Sequence, residues 1–384
     1  MKNLTLTKSK IIALRQRLLE IHQKVSWDKQ WPPRDKIALQ DFPTAQKVFD
    51  AEKLIVPESR LISSNAEKVL EAKIFHCPEA WAARIPNGAG VGGTVLTEDN
   101  KAIIPSLEGW NHYGPPNNWL VPISQKNSPL EGSCLDLGQL IYASNYFHAL
   151  VDQLPKLAIL RTAGWEPDWI LLPKKRSRVI DAIYQRIGLE KKIIYTSVRE
   201  LRKASEMFAC SWPNQNIGKY ESWGIKFLNQ LFNPKIEEQK IKVFIDRSGS
   251  AGRRIKNQDE IEKRLTKLGF IKVRLEERTI EEQVNIFHNA EVIIAPHGAG
   301  LANLAFCQPN TKVIEIFSPK YVLMTYRQLA ARLELPWLGI VGEGEMADMG
   351  ITKRNIFNRR PNIQEDITLE PKVLDKALDW AFPN

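Results

Sequence analysis

Two stretches of the chain set an imidazole beside groups it could work with. In NYFHALVDQLPKL, residues 145–157, His148 and Asp152 stand four apart. At about 100° per residue they lie within about 40° of each other on one helical face. Leu150, Leu154 and Leu157 fall nearly opposite. A carboxylate so placed can orient and polarise the ring, which makes the pair a candidate general base. The spacing leaves open whether Asp152 or His148 takes the proton. It also fits a plain surface pair worth a few tenths of a kcal/mol.

EVIIAPHGAGLANLAF, residues 291–306, changes character in its middle. Val292, Ile293 and Ile294 read as a buried strand, and Ala299 to Phe306 as a helix. Pro296, His297, Gly298, Ala299 and Gly300 form the junction. A helix start offers free N–H groups and about half a positive charge, so the junction suits an anion. The two glycines would let a phosphate approach the backbone, and His297 could donate to it. A second loop, IDRSGSAGRRIKN at 245–257, frames small residues with Arg247, Arg253 and Arg254. Guanidinium forks match phosphate oxygens, and both loops would open on the carboxyl edge of a parallel sheet. Two anion-seeking loops on one edge fit a diphosphate. Glu315, in VIEIFSP, could accept ribose hydroxyls or could be a surface carboxylate.

Other patterns fail their context. GAGVGG, residues 88–93, satisfies G-x-G-x-x-G, but TVLTEDNKAII after it reads as a hairpin rather than the helix a dinucleotide fingerprint requires. No two aspartates stand two apart and the six histidines are scattered, so no metal site is expected. Arginines and a helix dipole would then have to neutralise a leaving diphosphate. Cys77, Cys134, Cys210 and Cys307 lie far apart, which excludes a disulfide framework and reads as a reducing compartment.

The elements that must position these residues follow from size and rhythm. A chain of 384 residues, 43% hydrophobic and 26% charged, is globular and long enough for two domains. No stretch reaches the length of a membrane span. Residues 70–125 read as short strands and turns. From 133 onward strands and helices alternate in two runs with a hinge near 225–240. The expected fold class is α/β, with two Rossmann-like domains facing a cleft. One domain covers 1–225 and the other 226–365, and a helix in 366–384 packs back on the first. The net charge of +10 concentrates at 174–203, where ten Lys or Arg stand among three acids. That field suits an anionic partner or a membrane surface. No nucleic-acid module is visible, so no nucleic acid is expected.

The helix motif and the later IDR…RR…PHGAGLANL…VIEIF series together resemble glycosyltransferase family 61 over roughly residues 130–335. The resemblance implies the GT-B architecture, with an acceptor-side N-terminal domain and a nucleotide-sugar-binding C-terminal domain. It implies an inverting, metal-independent transferase that uses a nucleotide sugar, UDP-linked in many members, and no resident cofactor. Arg247, Arg254, His297, Gly298 and Gly300 would hold the diphosphate, Glu315 the ribose, and His148 with Asp152 would activate a glycan hydroxyl. Members of this bacterial type build capsular or exopolysaccharides. The expected location is cytoplasmic, with the basic surface able to touch the inner membrane face. A polyanion or nucleic-acid binder is the alternative, and an NAD-type oxidoreductase is a weaker one that fold analogy cannot decide.

Overall fold

The computed structural model describes residues 36–104, 124–125, 129–138, 145–174, 177–197, 200–214, 218–345 and 364–383. Residues 1–35 and 105–123, and parts of the basic field at 174–203, lie outside them. Ser59–Ile62 (β1), Glu67–Leu70 (β2), Ala80–Pro86 (β3) and Ala89–Val91 (β4) are the first strands that matter for the site. Leu130–Asp136 (β5), Trp169–Pro173 (β6), Ile193–Thr196 (β7) and Glu200–Cys210 (β8) follow. These four run parallel in the spatial order β8-β5-β6-β7. Ile170, Leu171 and Leu172 are buried without alternation, as a strand covered on both faces requires. β3 and β4 add to β8 in antiparallel fashion within a sheet of eleven strands. GAGVGG forms β4 and a hairpin turn, with Gly92 and Gly93 at φ 56° and 83°. It opens no helix and so is no dinucleotide fingerprint.

The helical layer between β5 and β6 has three parts. They are α1 (Tyr146–His148), a π-helical turn (Ala149–Gln153) and α2 (Pro155–Thr162). Asn145 caps α1 by accepting from the Phe147 N–H. The π turn carries Asp152 and precedes Pro155, which has no N–H to continue an α-helical ladder. Later come α3 (Arg178–Arg186) and α4 (Ser222–Phe232).

The second sheet contains Ile241–Ile245 (β9), Phe270–Val273 (β10), Ala290–Pro296 (β11), Lys312–Phe317 (β12) and Trp337–Val341 (β13). Its order is β10-β9-β11-β12-β13-β1-β2. Residues 59–70 therefore complete a sheet expected to begin at 226. The reason is local: every residue of β13 is buried, and β1 supplies Leu61 and Ile62 to what would otherwise be an apolar edge.

The helices here are α5 (Gln258–Lys267), α6 (Ile280–His288), a 3-10 helix (Ala299–Phe306), α7 (Thr325–Arg332) and α8 (Pro371–Ala381). α8 does not return to the N-terminal part. Val373, Leu374, Ala377 and Ala381 pack with Phe244, Ile261, Leu265 and Ile314, covering one face of the second sheet beside α5. That face needs an apolar lid, and the stripe of α8 provides it. On the opposite face one apolar cluster runs from Leu150 and Leu154 through Leu228 to Leu304 and Phe306. The two sheets thus share a core. No helix among the described residues is long and apolar enough to cross a membrane.

Candidate active site

His148 and Asp152 are in contact as their spacing predicts, but they are not a surface pair. They are 9% and 4% exposed, and His148 Nδ1 lies 2.6 Å from Asp152 Oδ2. An ionised carboxylate only accepts, so the ring donates from Nδ1 and Nε2 becomes its basic nitrogen. Asp152 Oδ1 accepts from Asn214 Nδ2 at 3.0 Å. Both carboxylate oxygens are thus engaged.

Asn214 follows the end of β8 in a left-handed conformation, with φ 53°. Its side-chain oxygen accepts from the Gly218 N–H at 2.7 Å, and its own N–H donates to Glu221 Oε2 at 2.8 Å. Burial pushes the Glu221 carboxyl up to about 8, against the pull of that N–H bond.

PHGAG opens a 3-10 helix rather than the expected α-helix, with Gly298 as its cap. Gly298 has extended backbone at φ 175°, so its lack of a side chain answers a close approach. A Cβ there would stand 2.0 Å from Arg247 Nη1. A Cβ at Gly300 would meet Leu275 Cδ1 at 2.5 Å. The glycines thus admit a guanidinium and a leucine, where the sequence suggested a phosphate against the backbone.

Arg247 and Arg253 lie together near this turn. The Nε atoms of both are buried without hydrogen-bond partners. Burial, and next the Arg253 charge, push the Arg247 guanidinium down to about 10. Arg253 holds a left-handed φ of 60° and lies 5.2 Å over the Tyr321 ring. His297 sits 5.3 Å from each of Tyr321 and Tyr326 and 5.4 Å from Phe317. Two half-buried like charges with buried, unused Nε donors have the chemistry to hold an anion.

Arg254 takes another direction. It forks onto Asp366 at 2.6–3.2 Å with half its side chain exposed, outside the cluster. A ready carboxylate claims its donors. Glu315 also departs from expectation: it is fully buried. One oxygen accepts from His297 Nδ1 at 2.5 Å and the other from Trp337 Nε1 at 2.9 Å. β11 and β12 set Ala295 opposite Glu315, which brings His297 and Glu315 together. Glu315 therefore orients His297 and is closed to a ribose.

The two histidines belong to one assembly. Phe147 packs 5.0 Å from His148 and 5.7 Å from Tyr326, whose ring in turn touches His297. The Tyr146 hydroxyl and the Asn303 side-chain oxygen, on the 3-10 helix, are 2.5 Å apart. Burial, and next the Glu315 charge, push the Tyr326 phenol well above the usual tyrosine range, so it stays a neutral donor. Tyr321, Tyr326, Asn214 and Trp337 were not identifiable beforehand, because each acts through a partner remote in sequence. Among the described residues no three His, Cys, Asp or Glu gather as metal ligands would.

The family model described as Glycosyltransferase 61 matches residues 146–314, from the start of α1 into β12. The matched segment takes in both histidines and all three arginines and stops one residue before Glu315. Over 113 residues the chain is 30% identical to the EGF domain-specific O-linked N-acetylglucosamine transferase of Mus musculus. That alignment covers 27% of this chain and 21% of the relative, so the chain spans about a fifth of the curated relative it matches. A solved structure of the bacterial iron-containing dodecameric glycosyltransferase TibC, from enterotoxigenic E. coli, aligns over 82% of this chain and 86% of its own at 12% identity and a TM-score of 0.28. The dodecameric iron-containing heptosyltransferase TibC in complex with ADP-D-beta-D-heptose gives 84%, 85%, 12% and 0.25. At those scores the structural likeness says nothing about fold or ligand. In sequence the chain is thus similar to glycosyltransferases.

Proposed function

We propose that the protein moves a glycosyl group from a nucleoside-diphosphate sugar to a hydroxyl acceptor, with inversion and with arginines in place of a metal. The carrying observation is the pair of buried, unpartnered Nε donors on Arg247 and Arg253 beside His297. A diphosphate would supply the missing acceptors. Arg247, Arg253, His297 and the first N–H groups at Ala299 and Gly300 would hold it, with Gly298 giving Arg247 its place. To donate from Nε2 as well as Nδ1, His297 must carry both protons, and Glu315 balances that charge.

In the reaction the acceptor oxygen bonds to the anomeric carbon as the bond from that carbon to the diphosphate oxygen breaks. The acceptor proton passes to His148 Nε2, and the electron pair leaves with the diphosphate. Asp152 orients the ring and balances the imidazolium. The cationic cluster stabilises charge building on the leaving group.

UDP as the carrier, a cell-surface polysaccharide as product and the GT-B arrangement rest on the family resemblance, and a cytoplasmic site rests on the dispersed cysteines. The basic stretch 174–203 would serve a polyanionic acceptor or the inner membrane face. Its field is partly balanced, since Arg186 pairs with Glu281 at 2.7 Å and Lys192 with Glu166 at 3.4 Å.

Calorimetry with UDP, GDP, CDP and TDP tests the reading. One of them should bind, and Arg247→Met should weaken it by about 10–100-fold, the worth of a hydrogen bond to a charged group. A folded Arg247→Met variant with unchanged affinity would remove the clamp.

A further inference from the structure

Lys156 is 6% exposed, yet no carboxylate among the described residues lies within ion-pair distance of it. Its ammonium stands 5.0 Å from the centroid of the Trp212 ring. An indole face offsets only part of what removing an ammonium from water costs. The charge of Lys156 acts on the Asp136 carboxyl. Asp136 is already satisfied: one oxygen accepts from the Gly138 N–H at 2.7 Å and the other from the Gly93 N–H at 3.0 Å. The glycines of GAGVGG and Gly138 thus serve to seat Asp136, not to charge-pair Lys156.

The location gives this ammonium a use. β5 and β8 run side by side in parallel, with Leu135 opposite Phe208, so Asp136 and Trp212 both lie toward their carboxyl ends. Ligands of parallel sheets gather at that edge. Lys156 follows Asp152 by four residues, just as Trp212 precedes Asn214 by two. The 212–214 segment therefore meets the helical layer twice, at Lys156 and at Asp152. His148 lies two turns before Lys156, about 11 Å along a helix axis, which is within one or two sugar rings. The donor clamp is on the other sheet.

We infer that Lys156, with Trp212 beside it and Asp136 behind, forms an acceptor subsite that receives the negative group of an anionic saccharide whose hydroxyl His148 deprotonates. This rests on the glycosyl-transfer reading. Carboxylate and phosphate share the chemistry, and a uronic acid and a sugar phosphate are its two sources.

The test is calorimetry on the full chain, saturated with the nucleotide that binds, titrated separately with D-glucuronate, D-glucose 6-phosphate and D-glucose. At least one charged sugar should bind about tenfold or more tightly than glucose, as a charge-assisted contact gives. Lys156→Met should reduce that preference to about twofold or less, and Lys156→Arg should keep most of it. The tighter of the two charged sugars identifies the source. If Lys156→Met does not fold, Lys156→Gln replaces it. No preference for a charged sugar overturns the subsite, whether the three sugars bind equally or not at all. So does a preference that survives in a folded Lys156→Met or Lys156→Gln variant, which would make the lysine a counter-charge for Asp136 and Asp152. Nucleotide binding on the same samples separates the failures. A nucleotide that binds without any sugar preference ends the subsite alone; no nucleotide binding ends the transferase reading itself.

Discussion

His148 and His297 each donate from Nδ1 to a buried carboxylate, at 2.6 and 2.5 Å, but the carboxylates are held in different ways. Glu315 is fixed between neighbouring strands of a parallel sheet, and its second oxygen takes an indole N–H that cannot titrate. Asp152 rides on a π turn, and its second oxygen depends on Asn214, which a titratable Glu221 helps to hold. Two guanidinium groups stand near His297, whereas Phe147 and the Asn214 turn border His148. One hydrogen bond therefore serves two ends. On the proposed reading, the bond beside the arginines supports a ring that would hold an anion, and the bond on the π turn a ring that would exchange a proton.

The largest effect should come from breaking the proton-exchanging pair. His148→Ala should lower turnover by ~10²–10⁴-fold, the usual share of a general base, while nucleotide affinity stays near wild type. Asp152→Asn should cost less. An asparagine oxygen can still accept from one neighbour, but its amide then faces the other donor and spoils the ring's orientation. Steady-state kinetics at saturating donor decide the roles. A larger loss from Asp152→Asn than from His148→Ala would make the aspartate the base and leave the histidine as its support.

A smaller effect should separate the two supports by pH. Burial raises the folded Glu221 carboxyl to about 8, while an unfolded glutamate titrates near ~4.3. Between those values the folded chain binds a proton that the unfolded chain has lost. The resulting stability is complete below the unfolded value, declines as pH rises toward 8, and changes no further above it. Asp136, raised to about 6 by burial, adds a similar decline that ends earlier. The window from about pH 6.5 to 8 therefore isolates Glu221. In Glu221→Gln, whose side-chain oxygen can still accept from Asn214, urea midpoints should fall less steeply across that window. Equal slopes in the two proteins would show that Glu221 does not titrate there.

Much of this arrangement was legible in the residues. An i,i+4 His and Asp on a helical pattern announces a contact, and a strand, two glycines and a helical pattern announce a ligand edge. Sequence periodicity could not show that Pro155 accompanies a π turn, or that the pair is buried beneath other elements. It placed Glu315 near a ribose because strand ends face ligands, but a fully buried strand gives its carboxylate to whatever donors flank it. Gly298 was legible as a close approach, though its neighbour is a side chain 51 residues earlier. Residues 59–70, counted with the domain 1–225, pair into the second sheet, because strand order is a matter of tertiary pairing and nothing in SRLI specifies β13 as a neighbour. Asn214 carried no signal, since its role depends on partners 62 residues before and seven after it.

The smallest effect is also the sharpest test of how the arginines divide. Arg247 and Arg254 both flank the SGSAG loop, and spacing alone gives them equal claim on a phosphate. Arg247 is half-buried over Gly298, with a buried, unused Nε donor. Arg254 is half-exposed, with its Nε and one Nη spent on Asp366. An exposed ion pair contributes little and is screened by salt. Arg254→Met should therefore change nucleotide affinity by no more than about twofold, well below the loss expected for Arg247→Met. Asp366→Asn provides the control. If Arg254 serves only as its partner, releasing Arg254 from that carboxylate should leave nucleotide affinity where it was. A nucleotide affinity lowered as far by Arg254→Met as by Arg247→Met would mean that Arg254 leaves Asp366 for the phosphate, and the clamp would then have three arginines.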